Sequence, residues 1–128
     1  MWWVVLVFQK ADYVMYEYSA ELVRVIDGDT VVLRVDCGFR LHFEDRFRLY
    51  GIDTPETRGV LVETKRKGDA ATVEVARLLA LGPLTIKTYK PDKYGRWLAE
   101  LFVHQADGVV VDVCQSLVAG GFAKVYLP

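Results

Sequence analysis

Four acidic side chains in two short motifs are the first residues of this chain that could do chemistry. Asp27-Gly28-Asp29-Thr30 sets two carboxylates two residues apart. Extended backbone places such a pair on one side, about 6.5–7 Å apart, and Gly28 permits a bend that brings them closer. An ordinary turn uses Asp and Gly in the same way, for hydrogen bonding and positive φ, so D-G-D-T alone is a weak signal. Asp53-Thr54-Pro55-Glu56-Thr57 is stiffer. Pro55 locks its own φ and pushes Thr54 into extended backbone. That holds Asp53 and Glu56 in a set relation and leaves the Thr54 carbonyl exposed. Oxygen ligands of this kind suit a hard cation, Ca²⁺ or Mg²⁺, completed by water or a substrate phosphate. Capping of a helix or turn accounts for the same acids without a metal.

Two arginines stand near these acids in sequence. Arg48 lies five residues before Asp53, and Arg96 sits in Tyr94-Gly95-Arg96-Trp97. A guanidinium is a planar fork matched to phosphate oxygens, and flanking aromatics add a surface on which bases stack. Surface arginines commonly do neither.

The elements that must position these residues are short. Tyr18 to Asp27 reads as a strand, with Val23 and Val25 on one face and Leu22, Arg24 and Ile26 on the other. Thr30 to Val35 is a β-branched second strand, and Asp36-Cys37-Gly38 a hairpin turn. The third strand alternates, with Leu41, Phe43, Phe47 and Leu49 at odd positions and charged residues between them. Asp45 interrupts the apolar row, which predicts a bulge or edge exposure. Gly51 to Gly68 reads as a polar loop. A helix is expected from an Asp69 N-cap, with Ala71, Val75, Leu78 and Leu79 on one face and Gly82-Pro83 as its stop. Leu84 to Tyr89 and Trp97 to Val103 are further strands, followed by a short helix from about Asp112 to Ala119 and an extended piece from Phe122 to Tyr126. The expected fold class is α+β, mainly β: a five-stranded OB-fold barrel with one helix between the third and fourth strands and a second after the fifth.

D-G-D-T, then R-L-Y-G-I-D-T-P-E-T, then D-K-Y-G-R-W-L-A, in this order on such a strand series, resembles the staphylococcal nuclease (thermonuclease) family. The resemblance runs from about Glu21 to Tyr126 and includes the run Leu117 to Val125. It implies a Ca²⁺-dependent hydrolase of phosphodiester bonds in DNA and RNA, preferably single-stranded, that cleaves the 5′ P–O bond and leaves 3′-phosphates. Under it Asp29 and Asp53 are direct metal ligands together with the Thr54 carbonyl, and Asp27 stands behind them or acts through water. Glu56 is the general base, or orients the attacking water. Arg48 and Arg96 grip the scissile phosphate, Lys93 and Tyr94 bind the substrate's phosphates and sugar, and Tyr126 lies beside the nucleotide. The contrasting reading is a non-catalytic OB-fold module that binds nucleic acid or protein; the presence of Asp29, Arg48, Asp53, Glu56 and Arg96 together argues for the enzyme.

Composition is that of one ordinary globular domain: 128 residues, 52% hydrophobic and 26% charged. The net charge of −1 argues against a generic nucleic-acid binder, but it averages unlike regions. Twelve of the sixteen cations lie in residues 37–96, a basic middle that attracts anions locally. Cys37 and Cys114 are too few for a disulfide framework, and with solitary His42 and His104 they give no zinc pattern.

Residues 1–17 form an extension ahead of the domain at 18–128. Its run Trp2-Trp3-Val4-Val5-Leu6-Val7-Phe8 is too short to span a bilayer and lacks the flanks of a secretory signal. It reads as a buried strand, an interface segment that pairs two copies in a homodimer, or the product of a start upstream of a natural initiator at Met15. With no membrane partner and no leader, a cytoplasmic or phage- or plasmid-encoded protein is expected rather than a secreted one. Familiar secreted members of the family are strongly basic and extend into a further C-terminal helix. Trp2–Phe8 is the candidate here to cover the surface that helix would protect.

Overall fold

The computed structural model describes residues 16–89 and 91–126. The expectations for residues 1–15 lie outside this range. Strand β1 is Tyr16–Asp27, β2 Thr30–Asp36, β3 His42–Leu49 and β4 Ile52–Asp53; helix α1 is Val62–Leu79. Strands β5 (Leu84–Tyr89), β6 (Trp97–His104) and β7 (Val110–Asp112) come next, then helix α2 (Val113–Ala119) and strand β8 (Lys124–Val125).

Five strands close on themselves. Antiparallel neighbours run β3-β2-β1-β5-β6, and a parallel pairing of Phe47 to Leu49 with Trp97 to Ala99 joins β3 back to β6. This is the expected barrel of mainly β character with two helices. Inward side chains alternate along each strand: Val31, Leu33 and Val35 on β2, Phe47 and Leu49 on β3, Leu84 and Ile86 on β5, and Ala99, Leu101 and Val103 on β6, all buried. Val75, Leu78 and Leu79 of α1 and Val113 and Leu117 of α2 join the same core. Each fully buried Leu or Val contributes roughly 1.5–3 kcal/mol through removal from water.

Four local expectations need correction. Helix α1 begins at Val62, not at Asp69, and its N-cap Leu61 makes no side-chain cap hydrogen bond. Asp69 is inside the helix, paired through Oδ2 with Lys65 Nζ at 2.9 Å. The basic run Lys65-Arg66-Lys67 therefore lies on a helix rather than in a loop. Gly68 is the reason the sequence misleads: it looks like a loop residue, yet it is buried at the helix contact with the segment that carries Glu56. A Cβ there would lie 2.6 Å from the Pro55 carbonyl and 2.9 Å from that of Glu56. The helix passes that close only because residue 68 has no side chain.

The bulges fall on β1, between Leu22 and Arg24 and between Val25 and Asp27, while β2 and β3 pair without interruption through Asp45. An extra residue switches the face of the residues beyond it. Leu22 and Val25 therefore both pack on the core, and Val23 is exposed. Asp45 meets the other half of its expectation, lying on the exposed half of β3. The β2–β3 connection is longer than a tight turn: Cys37 N–H donates to the Leu41 carbonyl at 2.9 Å, and Gly38, Phe39 and Arg40 all have positive φ.

Two short pairings were not legible. Strand β7 extends the free half of β6, with Phe102 opposite Asp112. Strands β4 and β8 form a separate ribbon that sets Ile52 against Val125 and Asp53 against Lys124.

Candidate active site

The turn between β1 and β2 places the two aspartates in direct contact. The Asp29 N–H donates to Asp27 Oδ1 at 3.1 Å. The Thr30 hydroxyl donates to Asp29 Oδ1 at 3.2 Å. Gly28 is pressed against α1: a Cβ would come within 2.8 Å of the Ala71 Cβ and 2.9 Å of Thr54 Oγ1. The helix thus clamps the first acidic motif against the second. Thr54 is buried, and its N–H donates to Asp29 Oδ2 at 3.4 Å.

Arg48 joins the motifs. Its Nη1 lies 2.7 Å from Asp29 Oδ2 and its Nη2 3.4 Å from Asp53 Oδ1, with the Arg48 and Asp29 side chains only 12% and 13% exposed. Nη2 also donates to the Ile52 carbonyl at 3.1 Å. Burial pushes Asp27 up to about 6, helped by the neighbouring Asp29 carboxylate. Burial also works against charge on Asp29, but hydrogen bonds from Asp27 and the Arg48 guanidinium prevail and hold it below the usual carboxylate range. Burial likewise opposes charge on Arg48, and the attraction of Asp29 and Asp53 more than offsets it.

The second arginine is organised by a residue to which the sequence reading gave no role. Asp92 accepts from the backbone N–H groups of Tyr94 and Arg96, each at 2.9 Å, and Arg96 Nε and Nη2 both reach its Oδ2 at 2.7 Å. The available signal was an Asp three residues before Gly95, the pattern of an Asx turn. The Arg96 guanidinium lies 5.4 Å from the Tyr94 ring centre and Lys93 Nζ 5.2 Å from the same centre, so one ring carries both cations.

A cleft of about 350 Å³ is lined by Arg48, Arg96, Lys93, Tyr94 and Tyr126. Five of the sequence-predicted site residues therefore share one concavity, although all but Arg48 come from beyond residue 90. Tyr126 is brought there by the β4–β8 ribbon and by its own N–H, which donates to the Gly51 carbonyl at 2.9 Å. Tyr50 lines the same cleft and stacks on Tyr89 with ring centres 4.1 Å apart; the sequence reading did not single it out. Asp53, Thr54 and Glu56 line a neighbouring cleft of about 490 Å³ with Lys67 and Lys124. Glu56 is exposed there and is not on the wall that holds the two arginines. The site is thus two adjoining hollows, linked by Arg48.

The model for staphylococcal nuclease homologues matches residues 46–127. The chain belongs to this family. An uncharacterised endonuclease of Escherichia coli O157:H7 is 32% identical, the alignment covering 86% of this chain and 62% of that protein. An uncharacterised protein of Methanocaldococcus jannaschii is 26% identical over 86% of this chain and 60% of its own length. The chain spans about three-fifths of these relatives. The matched region of this staphylococcal nuclease homologue contains Arg48, Asp53, Thr54, Glu56, Lys93, Tyr94, Arg96 and Tyr126, whereas Asp27 and Asp29 precede it. No helix among the described residues is long and apolar enough to cross a membrane.

As a metal site, the donor chemistry fits a hard cation: two carboxylates converge, with the Thr54 backbone alongside. They converge on Arg48, however, and among the described residues no group of three or more His, Cys, Asp or Glu forms a metal cage. A cation held by Asp29 and Asp53 must share these oxygens with the guanidinium or displace it.

Proposed function

We propose that this staphylococcal nuclease homologue is a Ca²⁺-dependent endonuclease that hydrolyses DNA and RNA, preferring single strands and leaving 3′-phosphates. The observation that carries this reading is Arg48, which lines the cleft of about 350 Å³ shared with Arg96 while its guanidinium is tied to Asp29 and Asp53. Asp29, Asp53 and the Thr54 carbonyl would hold Ca²⁺, with Asp27 behind them. When bound, the cation neutralises phosphate charge and brings water close to phosphorus.

The chain's own groups do the rest. Arg48 and Arg96 donate to the phosphoryl oxygens as negative charge builds there. Lys93 and Tyr94 hold the flanking phosphate and sugar, and Tyr126 walls the nucleotide. Glu56 takes the proton of the attacking water. The new bond joins that oxygen to phosphorus, the 5′ P–O bond breaks, and the departing 5′ oxygen takes a proton from solvent.

The test is cleavage of single-stranded DNA with Ca²⁺ or with EGTA, by the wild type, Glu56→Gln and Arg48→Ala. Cleavage only by the wild type in Ca²⁺ supports the assignment. Equal cleavage in every tube identifies a contaminant. Retained DNA binding without cleavage identifies a non-catalytic module.

A further inference from the structure

Three basic residues follow one another on α1, and among the described residues only the third has no acidic partner. Lys65 is paired with Asp69 at 2.9 Å and Arg66 with Glu63 at 3.8 Å. Lys67 instead lines the hollow of Asp53 and Glu56, which Lys124 lines from β8. Among the described residues neither Lys67 nor Lys124 takes part in an ion pair. Two separate elements thus bring unpaired ammonium groups to one concavity.

The backbone sets both positions. Gly68, lacking a side chain, lets α1 pass against the Pro55 and Glu56 carbonyls, and Lys67 is the residue before it. Lys124 stands opposite Asp53 in the β4–β8 ribbon. The neighbours Ile52 and Tyr126 line the arginine cleft on the other side. The ribbon is therefore a saddle between the two hollows.

A strand that leaves Arg96 and passes Arg48 meets Asp53 and Glu56 next. A phosphate beside two carboxylates is repelled unless cations stand there as well. Lys67 and Lys124 offset those two charges. An ammonium on a flexible stem is a point charge that follows a phosphate, where a guanidinium fork fixes one in place.

We propose that Lys67 and Lys124 form a second phosphate subsite, on the far side of Arg48 from Arg96. The substrate is then an oligonucleotide long enough to fill both hollows, rather than a dinucleotide. The subsite rests on the nuclease reading and deepens it.

The test follows octathymidylate binding against salt, in Ca²⁺, with Glu56→Gln to prevent turnover. Among the described residues the two hollows present Arg48, Arg96, Lys93, Lys67 and Lys124, which corresponds to a log–log slope of about −3.5. Adding Lys67→Gln and Lys124→Gln should bring it to about −2. Lys65→Gln, which removes the same charge from a paired neighbour, should leave it as it was. In the protein with Glu56 intact, the preference in kcat/KM for octathymidylate over d(TpT) should fall about tenfold with both lysines replaced. A slope near −2 before the lysines are changed overturns the subsite. An equal fall with Lys65→Gln also overturns it, assigning the effect to net charge. The expected slopes without any cleavage by the wild type support the subsite and reject the nuclease reading; no binding at all rejects both.

Discussion

Arg48 holds Asp29 at 2.7 Å, with both side chains largely but not fully buried. The guanidinium therefore stands in two places at once: it neutralises the acids, and it lines the cleft that it shares with Arg96. Arg48→Ala leaves Asp29 with its charge uncompensated, which costs on the order of 2–3 kcal/mol, below a fully buried pair because some water enters. Ca²⁺ should then raise the melting temperature of Arg48→Ala more than that of the wild type, because the cation takes over neutralisation. Activity should fall about 10²–10³-fold even where stability is restored. Thermal melts with and without Ca²⁺, beside cleavage rates, separate the two roles.

The acidic pair also gives a pH signature. Asp27 is raised from 3.8 to about 6 on folding, so the folded, metal-free protein binds more protons than the unfolded chain between those values. Its stability contribution is present at low pH and is lost as pH rises through about 6. Asp29 is lowered, and its contribution is complete above the ordinary carboxylate range and lost only in stronger acid. Urea unfolding in EDTA should show a fall in stability from pH 5 to pH 7 that Asp27→Asn abolishes. An unchanged slope in Asp27→Asn would remove the proton from that residue.

Gly68 ties the helix to the loop of Glu56. Alanine gains about 1 kcal/mol of helix propensity over glycine, but the close approach to the Pro55 and Glu56 carbonyls costs about 1–3 kcal/mol of overpacking. Gly68→Ala should destabilise modestly and lower kcat by moving Glu56, with single-stranded DNA affinity nearly unchanged. Equal loss of affinity and turnover would show that the loop does more than position Glu56.

Few cations line the cleft. Arg48, Arg96 and Lys93 line the cleft, so binding of a single strand confined to it should release about two counterions net, a log–log salt slope near −2. A much steeper slope would require a longer basic track.

The two thiols should differ. Cys37 is exposed, whereas burial, with Asp112 nearby, pushes Cys114 up to about 12. A disulfide reagent should titrate one thiol in the native protein and two in denaturant. Two fast thiols would mean that α2 opens readily.

Much of this site was legible because its chemistry is carried by unusual residue types close in sequence. Asp29, Arg48 and Asp53 belong to one hairpin and the short segment after it, and Pro55 stiffens the backbone between Asp53 and Glu56. What escaped was set by tertiary contact. Gly68 imitates a loop residue because its value lies in what packs against it. The bulges of β1 leave no compositional mark, since Leu22, Val23 and Val25 are equally good strand formers. Asp92 was in view within its motif, but only the folded turn reveals it holding Arg96. β4 and β8 are two residues long, below what periodicity can register.

That small ribbon sets a timetable for the candidate site. Lys124 pairs with Asp53, and the Tyr126 N–H fastens to Gly51, so residues translated well after β6 complete a hollow begun by residues near 50. A nascent chain that has emerged only through β6 already carries both arginines and every acid of the site. It lacks the far wall of the cleft and the strand that braces Asp53. That hollow is therefore completed late in synthesis, after every strand of the barrel has been translated.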